Sequence, residues 1–270
     1  MAMRGAERLP ALGCAATGVG SLPHRNTAAA LRFVARTAPL VPYRPELVGR
    51  SDAIAGQPRG RAEFLRAFAE GLFPQARALK GQVCGPLTGA VVRKQSISEA
   101  LAEQLVQAEA EASGLSRPGL PVIVVVDEPC LGQLQPGDRV EVIAAIRALF
   151  GVIEDAGAAP GLHCCDAMDL ALLTELEPAV WSFDAFHGLE AAMAHPAVQG
   201  WLAAGGRPIF GMVPTRGVGA GLAERLAGVP EAIRAGALVS ASCGLGTLTL
   251  ARARRVAAAV RRLGDLPSLR

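Results

Sequence analysis

Val122-Ile123-Val124-Val125-Val126-Asp127-Glu128 is the stretch that decides the fold. Its apolar part is continuous and β-branched, without the alternation of a half-exposed strand. Such a run belongs to a strand covered on both faces, as in a parallel sheet flanked by helices. It ends abruptly in two carboxylates. Around this strand (121–128) lie further apolar runs at 15–22, 39–43, 79–87, 160–165, 179–185, 208–213 and 237–243. Between them come segments with helical spacing. Residues 27–37 and 61–77 are amphipathic, the latter with Phe64, Leu65, Phe68 and Leu72 on one face. Residues 98–113 start at Ser98 as N-cap, and 138–156 repeat Val140, Ile143, Ile146, Leu149 and Ile153. Residues 168–176, 189–204, 222–235 and 248–263 complete the set. Strand and helix alternate throughout, so the expected class is α/β, a single (β/α)8 TIM barrel. It fills one domain over 1–270, with its core at about 15–263. A doubly wound open sheet is the runner-up. Gly18-Val19-Gly20-Ser21 is a poor match to the Gly-rich phosphate turn that such a sheet carries.

Composition narrows the function classes. The chain has 270 residues, 51% hydrophobic but only 4% aromatic, so Val, Leu, Ile and Ala must fill the core. The net charge is +3, and Arg252, Arg254, Arg255, Arg261, Arg262 and Arg270 account for more than that surplus. They read as a solvated helix face, and no nucleic-acid partner is expected. No stretch has the length of a membrane span. Arg4 and Arg8 have no apolar run behind them, so no signal peptide is expected. Cys14, Cys84, Cys130, Cys164, Cys165 and Cys243 are scattered through a long chain, which suits reduced thiols and a cytoplasmic location.

In an eight-stranded barrel the chemistry collects at the C-terminal ends of the strands. Those ends are here Ser21 to His24, then Tyr43, Arg44 and Glu46, then Cys84 to Gly89, then Asp127-Glu128. They continue with His163-Cys164-Cys165, Asp184 with His187, Thr215-Arg216, and Cys243-Gly244. Thiol and imidazole together favour zinc, which takes four tetrahedral ligands. His163 and Cys165 are two apart on a strand and share a face, while Cys164 points the other way. With Asp184 and Cys243 they make a four-ligand set. The alternative is that His163 and Cys165 are ordinary buried residues. A Cys164–Cys165 disulfide is the least favoured reading. Asp127-Glu128 reads as an amine anchor or acid/base group, or else as a salt bridge at the rim. His24 and His187 are candidate proton shuttles, His195 a surface residue, and Cys84 and Cys130 packing residues. Gly85-Pro86-Leu87-Thr88-Gly89 reads as a tight turn.

Gly20-Ser21-Leu22-Pro23, Lys80 through Thr88, Val126-Asp127-Glu128-Pro129, His163-Cys164-Cys165 and Ser242-Cys243-Gly244-Leu245 occur in an order that resembles a known family. The chain is similar to the C-terminal catalytic barrel of cobalamin-independent methionine synthase. That barrel belongs to a larger group with uroporphyrinogen decarboxylase and corrinoid-linked methyltransferases. The resemblance implies zinc held by His163, Cys165 and Cys243, with Asp184 where the family has Glu. It implies that Asp127 and the Ser21 region hold the amino-acid end of homocysteine, with Glu46 as a second acidic anchor. Thr215-Arg216 stands where the family has a late His. The expected activity is methylation of a homocysteine thiolate to methionine. Full-length members carry a second barrel that helps hold a folate, for which 270 residues leave no room on this reading, so the donor expected is methylcobalamin or a corrinoid protein, with methyltetrahydrofolate as the alternative. Asp127 and His24 are the expected catalytic groups. A metal-free decarboxylase and transfer to another small thiol are the alternatives.

Overall fold

The computed structural model describes residues 5–47, 60–217 and 219–269. Arg4 and Arg270, named above, lie outside them. The chain opens with β1 (Ala15–Ala16), β2 (Ser21–Leu22), α1 (Thr27–Thr37), β3 (Glu46–Leu47) and α2 (Arg61–Ala69). It continues with β4 (Leu79–Cys84), α3 (Pro86–Arg93), α4 (Ile97–Ser116), β5 (Val122–Asp127), α5 (Arg139–Asp155), β6 (Ala159–Cys164) and α6 (Leu172–Leu176). Then come β7 (Val180–Phe183), α7 (Ala185–Ala194), α8 (Pro196–Ala203), β8 (Arg207–Val213), α9 (Leu222–Ala227), α10 (Glu231–Gly236), β9 (Leu238–Ala241) and α11 (Leu250–Gly264).

The main sheet is parallel and runs β4-β5-β6-β7-β8-β9-β1. The eighth position is the segment around Tyr43, which bridges Lys80 in parallel. Arg44 N donates to Lys80 O at 2.9 Å, and Lys80 N to Pro42 O at 3.0 Å. Thr17 Oγ1 donates to Val41 O at 3.0 Å and joins this segment to the end of β1. The sheet therefore curls into the expected (β/α)8 barrel, with a thin seam at its second position.

Two faces follow from the pleat. A Cβ on Gly81 would meet Glu111 and Leu115 of α4, so the odd residues of β4 face the helices. Lys80, Gln82 and Cys84 then face the barrel axis. Trp181 and Phe183 stack on each other, and Trp181 meets Trp201 of α8 edge-on, so Ser182 faces inward. The helix-facing layer is apolar and continuous. The inward layer is unusually polar for a barrel, with Lys80, Gln82, His163, Ser182 and Ser240 all buried.

Several expectations need correction. Residues 15–22 hold two short strands, not one, and 39–43 contribute only a bridge. The long helices at 189–204 and 222–235 are each split, at His195-Pro196 and at Val229-Pro230, where proline ends the first helix and starts the next. The N-cap of α4 is Ser96, in a capping box with Glu99, not Ser98. Val140, expected in a buried stripe, is 80% exposed. The glycine-containing segment after β4 is the start of α3, with Gly85 as N-cap and Pro86 in its first turn. Among the described residues no helix is long and apolar enough to cross a membrane.

Candidate active site

The C-terminal ends of β6 and β9 bring two thiols together. Cys165 Sγ and Cys243 Sγ are 3.6 Å apart and share a hydrogen bond. The cysteines of the chain are free. A disulfide would hold the sulfurs at about 2.05 Å. Two thiolates on one tetrahedral zinc, each at about 2.3 Å, stand roughly 3.8 Å apart. The observed separation excludes a disulfide and is compatible with two ligands of one zinc. The shared hydrogen bond draws the Cys243 thiol down to about 6 against its burial. The same bond, with burial, pushes Cys165 up.

His163 lies one residue before the last of β6, opposite Asp127 on β5 and Ser182 on β7. Its Nδ1 is 2.9 Å from Ser182 Oγ. Burial and the charge of Lys80 push its pKa to about 3, so the imidazole is neutral. With Nδ1–H donating to Ser182, Nε2 keeps the lone pair that a metal needs. Cys164 faces away, buried at 1% exposure, with its Sγ donating to Asp166 O.

Asp184 has a local task. It caps α7 by accepting from His187 N at 3.1 Å, and its Oδ2 is 2.7 Å from His187 Nδ1. Its charge still reaches Cys243 and raises that thiol. Among the described residues, no three His, Cys, Asp or Glu side chains stand close enough to hold an ion as they are. The thiol pair supplies half of a tetrahedral set. Asp184 is engaged by His187, whereas His163 bonds Ser182 through Nδ1 alone. In donor chemistry the residues fit zinc.

Asp127 ends β5, and its Oδ1 is buried without a hydrogen-bond partner. Burial raises its carboxyl well above the usual range; Lys80 opposes this, while Glu46 and Cys243 raise it further. Asp127 at the end of β5 and the thiol pair just beyond β6 and β9 lie at the C-terminal ends of their strands. Ser21 pairs with Glu46 in a small parallel ladder of β2 and β3. Ser21 Oγ accepts from Gly246 N at 3.3 Å, and Ser21 O accepts from Leu245 N at 3.0 Å. A Cβ on Gly244 would collide with Ser21 Oγ, so glycine lets these two loops touch beside Cys243.

Glu128 turns out to be a structural group. It accepts from Leu87 N at 2.8 Å, Thr88 N at 2.9 Å and Thr88 Oγ1 at 2.6 Å. It thus satisfies the free N–H groups at the start of α3. Gly85 is required here, since any Cβ would overlap the Glu128 carboxylate. His24 stacks on Phe33 at 4.9 Å, and burial with the charges of Arg254 and Arg36 lowers its pKa. These neighbours belong to α1 and α11, not to the thiol mouth.

Lys80, Arg44 and Gln82 were given no role by the sequence. Lys80 is 1% exposed, and its Nζ donates to Val19 O at 2.8 Å. Burial lowers it to about 8, with Asp127 and Glu46 opposing. Arg44 is wholly buried against Glu111, and donates to Glu46 at 3.0 Å and Gln82 O at 2.7 Å. The available signal was the alternation of Lys80, Gln82 and Cys84 on one face of an otherwise apolar strand.

No family model matches the chain, and no curated protein matches it. A methyltransferase from Methanosarcina mazei superposes on 82% of this chain and 70% of its own, with TM-score 0.52 and 16% identity. A GH5-4 broad specificity endoglucanase from Bacteroides salanitronis does so over 98% and 97%, with TM-score 0.50 and 11% identity. At such identities the likeness shows the barrel and leaves the reaction to be argued from the site.

Proposed function

We propose that this chain is a zinc-dependent methyltransferase that activates homocysteine as a thiolate and methylates it to methionine, with a methylcorrinoid as donor. The observation that carries the reading is the Cys165–Cys243 pair, two thiols from different strands at the spacing of zinc ligands and not of a disulfide. The Methanosarcina mazei neighbour indicates that such a barrel can host methyl transfer. The endoglucanase indicates that it can host other chemistry, so the weight stays on the thiols.

His163, Cys165 and Cys243 would hold the metal, with Asp184 as fourth ligand once its carboxylate leaves His187. Bound zinc supplies Lewis acidity, which lets a thiol lose its proton at neutral pH. The remaining work falls to side chains. Asp127 Oδ1, buried and unpartnered, accepts the substrate ammonium, with Glu46 beside it. The Ser21 loop closes over the Cys243 loop and fixes the depth at which the substrate sits. The substrate sulfur then attacks the methyl carbon, and the carbon–donor bonding pair leaves with the donor.

Metal analysis of the purified protein beside Cys165→Ala and Cys243→Ala tests this. About one zinc per chain, lost in both variants, is the expected result. Native protein that holds no zinc after anaerobic purification and zinc addition would sink the reading.

A further inference from the structure

We propose that Lys80 is the anchor for the carboxylate of the thiol substrate, so that the mouth is built for a zwitterionic α-amino acid. The inference rests on the homocysteine reading and deepens it.

Burying an ammonium is costly unless its donors are used. Lys80 has three N–H donors and spends one on Val19 O, at 2.8 Å. On the same inward face, Gln82 Oε1 of the same strand and Asp127 Oδ1 of the neighbouring one are buried acceptors with no partner. Lys80 and Asp127 feel each other's charge, yet make no ion pair with each other. The strand register explains why. Lys80 lies opposite Ile123, whereas Asp127 lies opposite Cys84, four residues further along β4. At about 3.3 Å per residue that offset is roughly 13 Å, which the two side chains together do not close.

The inward face therefore carries a buried cation low on β4 and unpartnered acceptors further along the strands, at Gln82 and Asp127. A neutral thiol would leave both ends unsatisfied, and a purely anionic one would leave Asp127 so. An α-amino acid satisfies both, with its ammonium on Asp127 and Gln82 Oε1 and its carboxylate on Lys80. Asp127 ends β5 and the Cys165–Cys243 pair follows β6 and β9, so the substrate thiol would point toward the same end of the barrel.

The test is calorimetric binding of three thiols to the zinc-loaded full chain: L-homocysteine, 3-aminopropane-1-thiol, which lacks the carboxylate, and 4-sulfanylbutanoate, which lacks the amine. The wild-type protein should prefer homocysteine to 3-aminopropane-1-thiol by about 10- to 100-fold, the range of a charge-assisted hydrogen bond. Lys80→Met should erase that preference and weaken 4-sulfanylbutanoate, while 3-aminopropane-1-thiol binds as before. A preference that survives in Lys80→Met overturns the proposal, as does equal weakening of all three thiols, which would mark Lys80 as structural. If Lys80→Met does not fold, Lys80→Gln takes its place. Equal binding of homocysteine and 3-aminopropane-1-thiol by the wild type overturns the proposal with no variant at all. If the wild type binds none of the three, the homocysteine reading fails and this inference falls with it.

Discussion

Replacing Glu128 by Gln should reshape the pH dependence of stability. The carboxyl is fully buried and caps α3 through Leu87 N, Thr88 N and Thr88 Oγ1. Burial outweighs those bonds and raises its pKa from 4.5 to about 7. A carboxyl raised in the folded state binds more protons folded than unfolded between those two values. Stability therefore falls as pH rises through that window, by about 3 kcal/mol in all. Gln carries no charge and lacks this slope. It also offers one acceptor where Glu offers two, leaving one N–H of the α3 start unsatisfied, a loss of about 1–3 kcal/mol at any pH. The wild type should thus exceed Glu128→Gln in stability at pH 5, and the gap should shrink or invert by pH 8. Urea unfolding followed by the fluorescence of Trp181 and Trp201, both buried, reads this directly. Parallel profiles, or a gap that widens with pH, would refute the reasoning and show that the helix start governs the carboxyl more than burial does.

Glu111→Gln should cost about 3–5 kcal/mol, because it removes one of the carboxylates that pair with the buried Arg44 guanidinium; a midpoint within error of the wild type would exclude a role for the pair in stability. Gly244→Ala should destabilise by about 1–3 kcal/mol through its clash with Ser21 Oγ, and Ser21→Ala should recover part of that in the double variant. Additive losses in the double variant would mean that the two loops do not constrain each other. Asp127→Ala should weaken homocysteine binding by about 1.5–3 kcal/mol with zinc content unchanged, measured by calorimetry and metal analysis on the same preparation. Unchanged binding would remove Asp127 from the site.

Continuous β-branched strands such as β5 could be read from the sequence because both their faces are covered. The splits at Pro196 and Pro230 were missed, although proline at a helix start is a local signal. α3 was hidden because Gly85-Pro86 looks like a turn, and the group that caps it, Glu128, comes from 40 residues or more further along. That long-range bond also gave Glu128 a look of function when adjacent to Asp127. The convergence of Ser21, Glu46, Asp127, Cys165 and Cys243 was legible from a single rule, that strand ends share one mouth. Lys80 was not, because a lysine within a strand reads as solvent-facing until the pleat shows which way it points.

The seam beside Tyr43 gives the barrel unequal staves. Seven are fastened to their neighbours by strand ladders, whereas the eighth is tied to β1 by the Thr17 hydroxyl and to β4 by a single bridge. Breathing of the cylinder will concentrate there, and amide exchange at Tyr43 and Arg44 should outpace that of β5 by orders of magnitude. Glu46 and Ser21 sit at the top of that same joint. The wall of the mouth that yields most easily is therefore the one carrying Ser21 and Glu46, while the wall carrying the thiols stays fixed.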